Sequence, residues 1–208
     1  MSLWAIVPIK PLRKGKSRLS PVLSEDERAE LSRRMLVATV ETLKKVRDIN
    51  HVLVVSRDPE ALAAARGAGA RTLLENGNPE INGALTRAAL VAGAYKARGV
   101  LVMPADLPLL DPDDVREFVA RGRETPCVVI APDRKREGTN ALLLAPPDVI
   151  PFDYGPGSFR RHQESARIAG VPLKVFEAES ISLDLDLPED LEILGADLRI
   201  EVEQEHSV

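Results

Sequence analysis

The stretch VPIKPLRKGKSRL, residues 7–19, carries Lys10, Arg13, Lys14, Lys16 and Arg18, five cations with no acid among them. The whole chain is acidic, with a formal net charge of −4. Most charge runs are solvated surface, but this one follows directly on the first apolar run, LWAIVPI. It is also long for a strand-to-helix connection, which usually takes about two to six residues. Lysines as point charges and arginines as forks suit a polyphosphate, and Gly15 would let the backbone approach it closely. GKS matches the end of a P-loop, but that motif needs glycine where Lys10 stands. A phosphate loop of another kind is therefore expected.

Two carboxylate motifs stand beside it. VMPADLPLL places Asp106 at the end of an apolar run, and ISLDLDLPEDL places Asp184 and Asp186 two residues apart, on one face of an extended segment. An Asp near Pro often just caps a turn, which is the better reading for Asp111 and Asp190. For Asp106, Asp184 and Asp186, charge favours function. A carboxylate about 4 Å from a phosphate is repelled by about 4 kcal/mol at an effective dielectric near 20. A divalent cation between them reverses that sign, and Mg²⁺ typically takes one or two carboxylates plus phosphate oxygens. Loop and aspartates together suggest a metal–nucleotide site.

The elements that must hold these residues alternate. Residues 3–9, 51–56, 71–74, 99–105, 127–132 and 140–146 read as strands, mostly as continuous apolar runs that belong in a sheet covered on both faces. Helical patterns lie between them: from a Ser24/Glu27 capping box to about 47, with Leu31, Met35, Ala38 and Thr42 as the inward row, then over 59–67, 80–97 and 112–122. Further helices follow Ser158, ending at Gly170, and Pro188. The alternation predicts an α/β domain with a mostly parallel central sheet, over residues 1–196, with a polar tail at 197–208.

Composition narrows the function classes. With 3% aromatic residues and negative net charge, a nucleic-acid partner is not expected. No apolar run reaches the roughly 20 residues of a membrane helix, the N-terminus lacks a signal-peptide pattern, and Cys127 is the single cysteine; a cytoplasmic protein is expected. His51, His162 and His206 have no Cys or His at ligand spacing, so no zinc is expected. Oligomeric state is open, a homodimer included.

The segments PIKPLRKGKSRL, NGAL, PADLPLL, GTNALLL, YGPGSF and LDLDLPEDL, in this order, resemble the 2-phospho-L-lactate guanylyltransferase family (CofC/FbiD) of coenzyme F-420 biosynthesis. The resemblance implies a single-domain Rossmann-like nucleotidyltransferase fold, related to the molybdopterin nucleotidyltransferases. It implies transfer of GMP from GTP to 2-phospho-L-lactate or phosphoenolpyruvate, with release of pyrophosphate. By resemblance, Lys16 and Arg18 meet the triphosphate with Lys10 behind them, and Asp106, Asp184 and Asp186 hold Mg²⁺. Lys16 and Asp106 are the catalytic pair. The phospho-acid falls to Thr139, Gly155 and Ser158, the last at a helix start where free N–H groups favour an anion. Asn82 either contacts base or ribose or simply starts a helix. Two alternatives stay open: a related nucleotidyltransferase with a molybdopterin or sugar-phosphate acceptor, and a nucleotide-binding domain without turnover.

Overall fold

The first apolar run shows why the strands are continuous rather than alternating. In β1 (Ser2–Pro8), Leu3, Ala5 and Val7 enter one hydrophobic cluster while Trp4 and Ile6 enter another on the opposite face. Both faces are covered, so both sets of side chains must be apolar.

The computed structural model describes residues 2–76 and 80–193; the tail expected at 197–208 lies outside them. β1 is joined by β2 (Ile49–Ser56), β3 (Arg71–Leu74), β4 (Ala97–Val102), β5 (Cys127–Pro132), β6 (Thr139–Ala145) and β7 (Leu173–Val175) in one seven-stranded sheet of order β3-β2-β1-β4-β6-β5-β7. β6 runs antiparallel to both neighbours, and the other pairings are parallel. β7 was not expected; it has three half-buried residues and no apolar run to announce it.

One cluster gathers side chains from α1 (Glu25–Lys44), α2 (Pro59–Gly67), α4 (Pro112–Arg121) and α6 (Glu179–Ser182). The other gathers α3 (Ile81–Ala94) and α5 (Ser158–Ala169). The chain's last described helix is α7 (Pro188–Ile193). The caps fall where expected: Ser24 and Glu27 close a full capping box, and Asp111 accepts from the N–H groups of Asp113 and Asp114. The inward row of α1 differs from expectation. It is Ser32, Met35, Leu36, Thr39, Val40 and Leu43, while Ala38 is exposed. The burial of a hydroxyl explains the rotation: Ser32 Oγ donates to the carbonyl of Arg28 at 2.8 Å, satisfying itself inside its own helix.

β1 sits between β2, which follows it, and β4, which returns on its other side. That reversal falls at the carboxyl ends of β1 and β4, the usual ligand position in an open α/β sheet. Because β6 is reversed, its first residue, Thr139, lies at the same edge.

Candidate active site

Asp106 lies four residues beyond the end of β4. Its carbonyl accepts from Leu185 N–H at 3.0 Å, which lays the 183–187 segment alongside it. This segment is extended but belongs to no sheet ladder. Leu183 and Leu185 are buried, and Asp184 and Asp186 share the more open side, as their spacing requires. Asn140 secures it from β6, donating to the carbonyls of Ile181 at 2.9 Å and Ser182 at 3.0 Å. Asp190, buried in α7, hooks it from the far end. Its Oδ2 accepts from the N–H groups of Asp186 (2.9 Å) and Leu187 (2.7 Å), and its Oδ1 from Arg134 at 2.6 Å. Burial first, and then the charges of Asp106 and Asp186, push the Asp184 carboxyl above its usual range. Asp184 thus lies within electrostatic reach of both.

Lys16 answers them. Its Nζ stands 3.1 Å from Asp106 Oδ2 and 3.4 Å from Asp186 Oδ1, with 8% of its side chain exposed. Arg18 Nη1 lies 3.6 Å from Asp186 Oδ2. Lys16 is held in the left-handed region at φ 54°, capping the second of two 3-10 turns, Leu12–Lys14 and Ser17–Leu19. A lysine there costs on the order of 1–3 kcal/mol, a strain that clusters at working sites. In space the basic loop is less unbalanced than along the chain. Arg13 pairs with Glu25 and Asp26 in the first turn of α1, while Lys10 is exposed. Gly15 has an ordinary backbone, and a Cβ on it would meet Ser32 Oγ at 3.3 Å.

A second group lies on the neighbouring strand. Val102 of β4 stands opposite Leu142 of β6, so Asp106 and Thr139 extend from adjacent strands at one edge. Thr139 Oγ1 is 3.0 Å from His162 Nδ1 and 3.1 Å from Ser158 Oγ, and all three residues are buried. Asp153 N–H donates to His162 Nε2 at 3.0 Å. Burial holds the His162 imidazole down to about 4, so it is neutral at pH 7. The turn before α5 carries Gly155 at φ 130° and Gly157 at φ 72°, a backbone that favours glycine. Arg161 braces it through the Asp153 carbonyl at 2.9 Å. The helix start offers fewer free N–H groups than expected, because Ser158 N–H bonds the Gly155 carbonyl and Phe159 N–H bonds the Glu137 carbonyl. The hydroxyls remain.

Asn82 spends both ends of its amide on one residue. Nδ2 donates to the Tyr154 carbonyl at 3.2 Å and Oδ1 accepts Tyr154 N–H at 2.7 Å. It ties α3 to the glycine turn. His162 is the residue that sequence reasoning passed over; lacking a ligand partner at helical or strand spacing, it gave no signal until the fold brought Thr139 and Ser158 to it.

The family model described as Guanylyl transferase CofC like matches residues 3–199. The chain belongs to this family. It is a nucleotidyltransferase, and its relatives say the same. A protein of Rubrobacter xylanophilus named phosphoenolpyruvate guanylyltransferase is 45% identical over 196 residues, which cover 94% of this chain and 95% of that one. A protein of Methanothermobacter thermautotrophicus named 2-phospho-L-lactate guanylyltransferase is 35% identical, covering 92% and 83%. The fold recurs in a solved nucleotidyl transferase of Methanothermobacter at TM-score 0.67 and 16% identity, covering 96% and 99%. It recurs again in the 4-diphosphocytidyl-2C-methyl-D-erythritol synthase of Anaerococcus prevotii at TM-score 0.61 and 11% identity, covering 95% and 96%. Among the described residues no group of three or more His, Cys, Asp or Glu side chains is gathered closely enough to hold a metal ion; Asp106 and Asp186, both within reach of Lys16, are a carboxylate pair of the kind that a hard divalent cation takes together with phosphate oxygens.

Proposed function

We propose that this chain transfers GMP from GTP to phosphoenolpyruvate, releasing pyrophosphate, as a cytoplasmic step of coenzyme F-420 biosynthesis. The observation that carries this is the division of one sheet edge into two sides. One side is ionic, with Lys16 and Arg18 facing Asp106, Asp184 and Asp186. The other is hydroxyl-bearing, with Thr139 and Ser158 beside the Gly155 turn that Arg161 braces. The first suits a metal triphosphate and the second a small anionic acid. The choice of phosphoenolpyruvate over 2-phospho-L-lactate follows the name of the 45% identical relative.

The chain's own part is to position and neutralise. An oxygen of the acceptor phosphate attacks the α-phosphorus of GTP. The bond from that phosphorus to the bridging oxygen breaks, and pyrophosphate leaves with the electron pair. The acceptor is already an anion at pH 7, so no base is required; His51 lies near the start of β2, at the other end of the sheet, and both ring nitrogens of His162 are engaged. Lys16 and Arg18 neutralise the triphosphate, with Lys10 further out. Asp106, Asp184 and Asp186 would hold Mg²⁺, which would supply charge neutralisation at the reacting phosphates. Asn82 acts through the turn it holds.

The test is a pyrophosphate-release assay crossing four nucleoside triphosphates with phosphoenolpyruvate, 2-phospho-L-lactate and 3-phosphoglycerate. GTP with phosphoenolpyruvate should turn over fastest. A sugar phosphate and a molybdopterin are added as further acceptors, and turnover only with one of these would overturn the acceptor; light scattering on the same sample decides between monomer and homodimer.

A further inference from the structure

His162 lies fully buried behind the two hydroxyls, and its hydrogen bonds leave it a single protonation pattern. The backbone N–H of Asp153 can only donate, so His162 Nε2 must accept and carries no proton. A protonated ring would set two donors against each other there, and burial keeps the ring neutral. The one ring proton is therefore on Nδ1, and Nδ1–H donates to Thr139 Oγ1.

A proton count follows along the chain His162–Thr139–Ser158. It has two links, one from Nδ1 to Thr139 and one between the hydroxyls. It has three protons to place: Nδ1–H and the two hydroxyl protons. One hydroxyl proton is left over, on Thr139 or on Ser158 according to which way their shared bond runs. Among the described residues neither hydroxyl has a further protein acceptor. With the opposite tautomer the Thr139 hydroxyl would donate to Nδ1, the Ser158 hydroxyl to Thr139, and nothing would remain to give.

We propose that His162 is a positioning residue for the acceptor, whose Nδ1–H leaves the Thr139–Ser158 pair with a hydroxyl proton to donate to an anionic oxygen of the phospho-acid. This rests on the acceptor side assigned above. A phosphate or carboxylate oxygen at pH 7 only accepts, so a pair with a surplus donor recognises it and a pair without one repels it. Asp153 matters through its main chain, because it fixes the tautomer.

The experiment uses the full chain. Asn carries its amide near the Nδ1 position and can still donate to Thr139; Gln reaches the Nε2 position and cannot. His162→Gln should raise the phosphoenolpyruvate KM by about tenfold to a hundredfold, the loss of one hydrogen bond to a charged group, with GTP KM unchanged. His162→Asn should stay close to wild type. Equal KM values in both variants, or a change in GTP KM alone, would overturn the role. A second measurement does not depend on the variants folding. Nitrogen-15 spectra of histidine-labelled wild type should show a ring protonated at Nδ1 and bare at Nε2, with its signal shifting on addition of phosphoenolpyruvate. The reverse tautomer, or a signal indifferent to the acceptor in an active enzyme, refutes the proposal. Inactivity with every phospho-acid, with the tautomer as stated, would instead sink the acceptor reading on which it rests.

Discussion

Replacing Lys16 with methionine keeps the length and apolar stem of the side chain and removes its charge. At 3.1 and 3.4 Å the ammonium attracts Asp106 and Asp186 by about 5 kcal/mol each at an effective dielectric near 20. Most of that is offset by desolvation. Breaking a fully buried pair costs about 3–5 kcal/mol, and exposed pairs are worth about 0–1. Asp106 and Asp186 are 33% and 44% exposed, between those limits, so a loss of about 2 kcal/mol is expected. For a chain of this size that lowers Tm by about 4–8 °C. The three carboxylates would then repel each other with only Arg18 nearby, and Mg²⁺ should bind them better than in wild type, where Lys16 competes for the same oxygens. Mg²⁺ at about ten times its Kd should restore about 1.4 kcal/mol. Calorimetric scans with and without Mg²⁺, and titrations with GTP, check this. Lys16→Met should gain Mg²⁺ affinity and lose GTP affinity. Equal Mg²⁺ shifts of Tm in wild type and variant would refute the idea that Lys16 competes with Mg²⁺ for Asp106 and Asp186.

Three further outcomes are expected. Asp106→Asn should nearly abolish turnover, and wild-type turnover should vanish in chelator and return with excess Mg²⁺; full activity in chelator removes the metal from the site. His162, lowered to about 4 from 6.5, contributes stability that is whole above pH 6.5 and is lost as pH falls from 6.5 toward 4, because the unfolded chain takes up the proton first; about 3 kcal/mol should go. In denaturant melts across that range, wild type should lose more than His162→Asn, and parallel losses would show that the ring titrates normally. Asp190→Asn should keep an acceptor for the Asp186 and Leu187 N–H groups but weaken its bond to Arg134, raising the KM for GTP through misplaced Asp186 while Tm falls modestly; unchanged kinetics would make Asp190 a plain anchor.

The parts of the fold that were legible are those whose signal is local. An apolar run announces a strand covered on both faces, and Ser24 with Glu27 announces a helix start, because each needs only its own few residues. Asp184 and Asp186 were legible for the same reason: their spacing alone puts them on one side of an extended segment, even though that segment joins no sheet. β7 and α6 were not, since three and four residues hold barely more than one period of the pattern that would reveal them. The expected row of α1, Leu31, Met35, Ala38 and Thr42, shares only Met35 with the buried face, which takes in Ser32 and Thr39.

The site divides along the same line. Charge along the chain singled out the loop, and the family resemblance picked Lys16 and Arg18 from it, but five cations close together do not say which of them face acid. The fold spends Arg13 on the first turn of α1 and turns Lys16 inward, from a left-handed backbone that no pattern of charges announces. His162 is the sharper case. A histidine on a helix with no ligand partner reads as filler. Its meaning comes from one main-chain N–H, nine residues earlier, that dictates which nitrogen holds the proton. No pattern of residue types encodes that direction, since any residue but proline at 153 would supply the same N–H. What the sequence states is the cast of charged groups; which proton points at the substrate is decided by a backbone bond that only the folded chain makes.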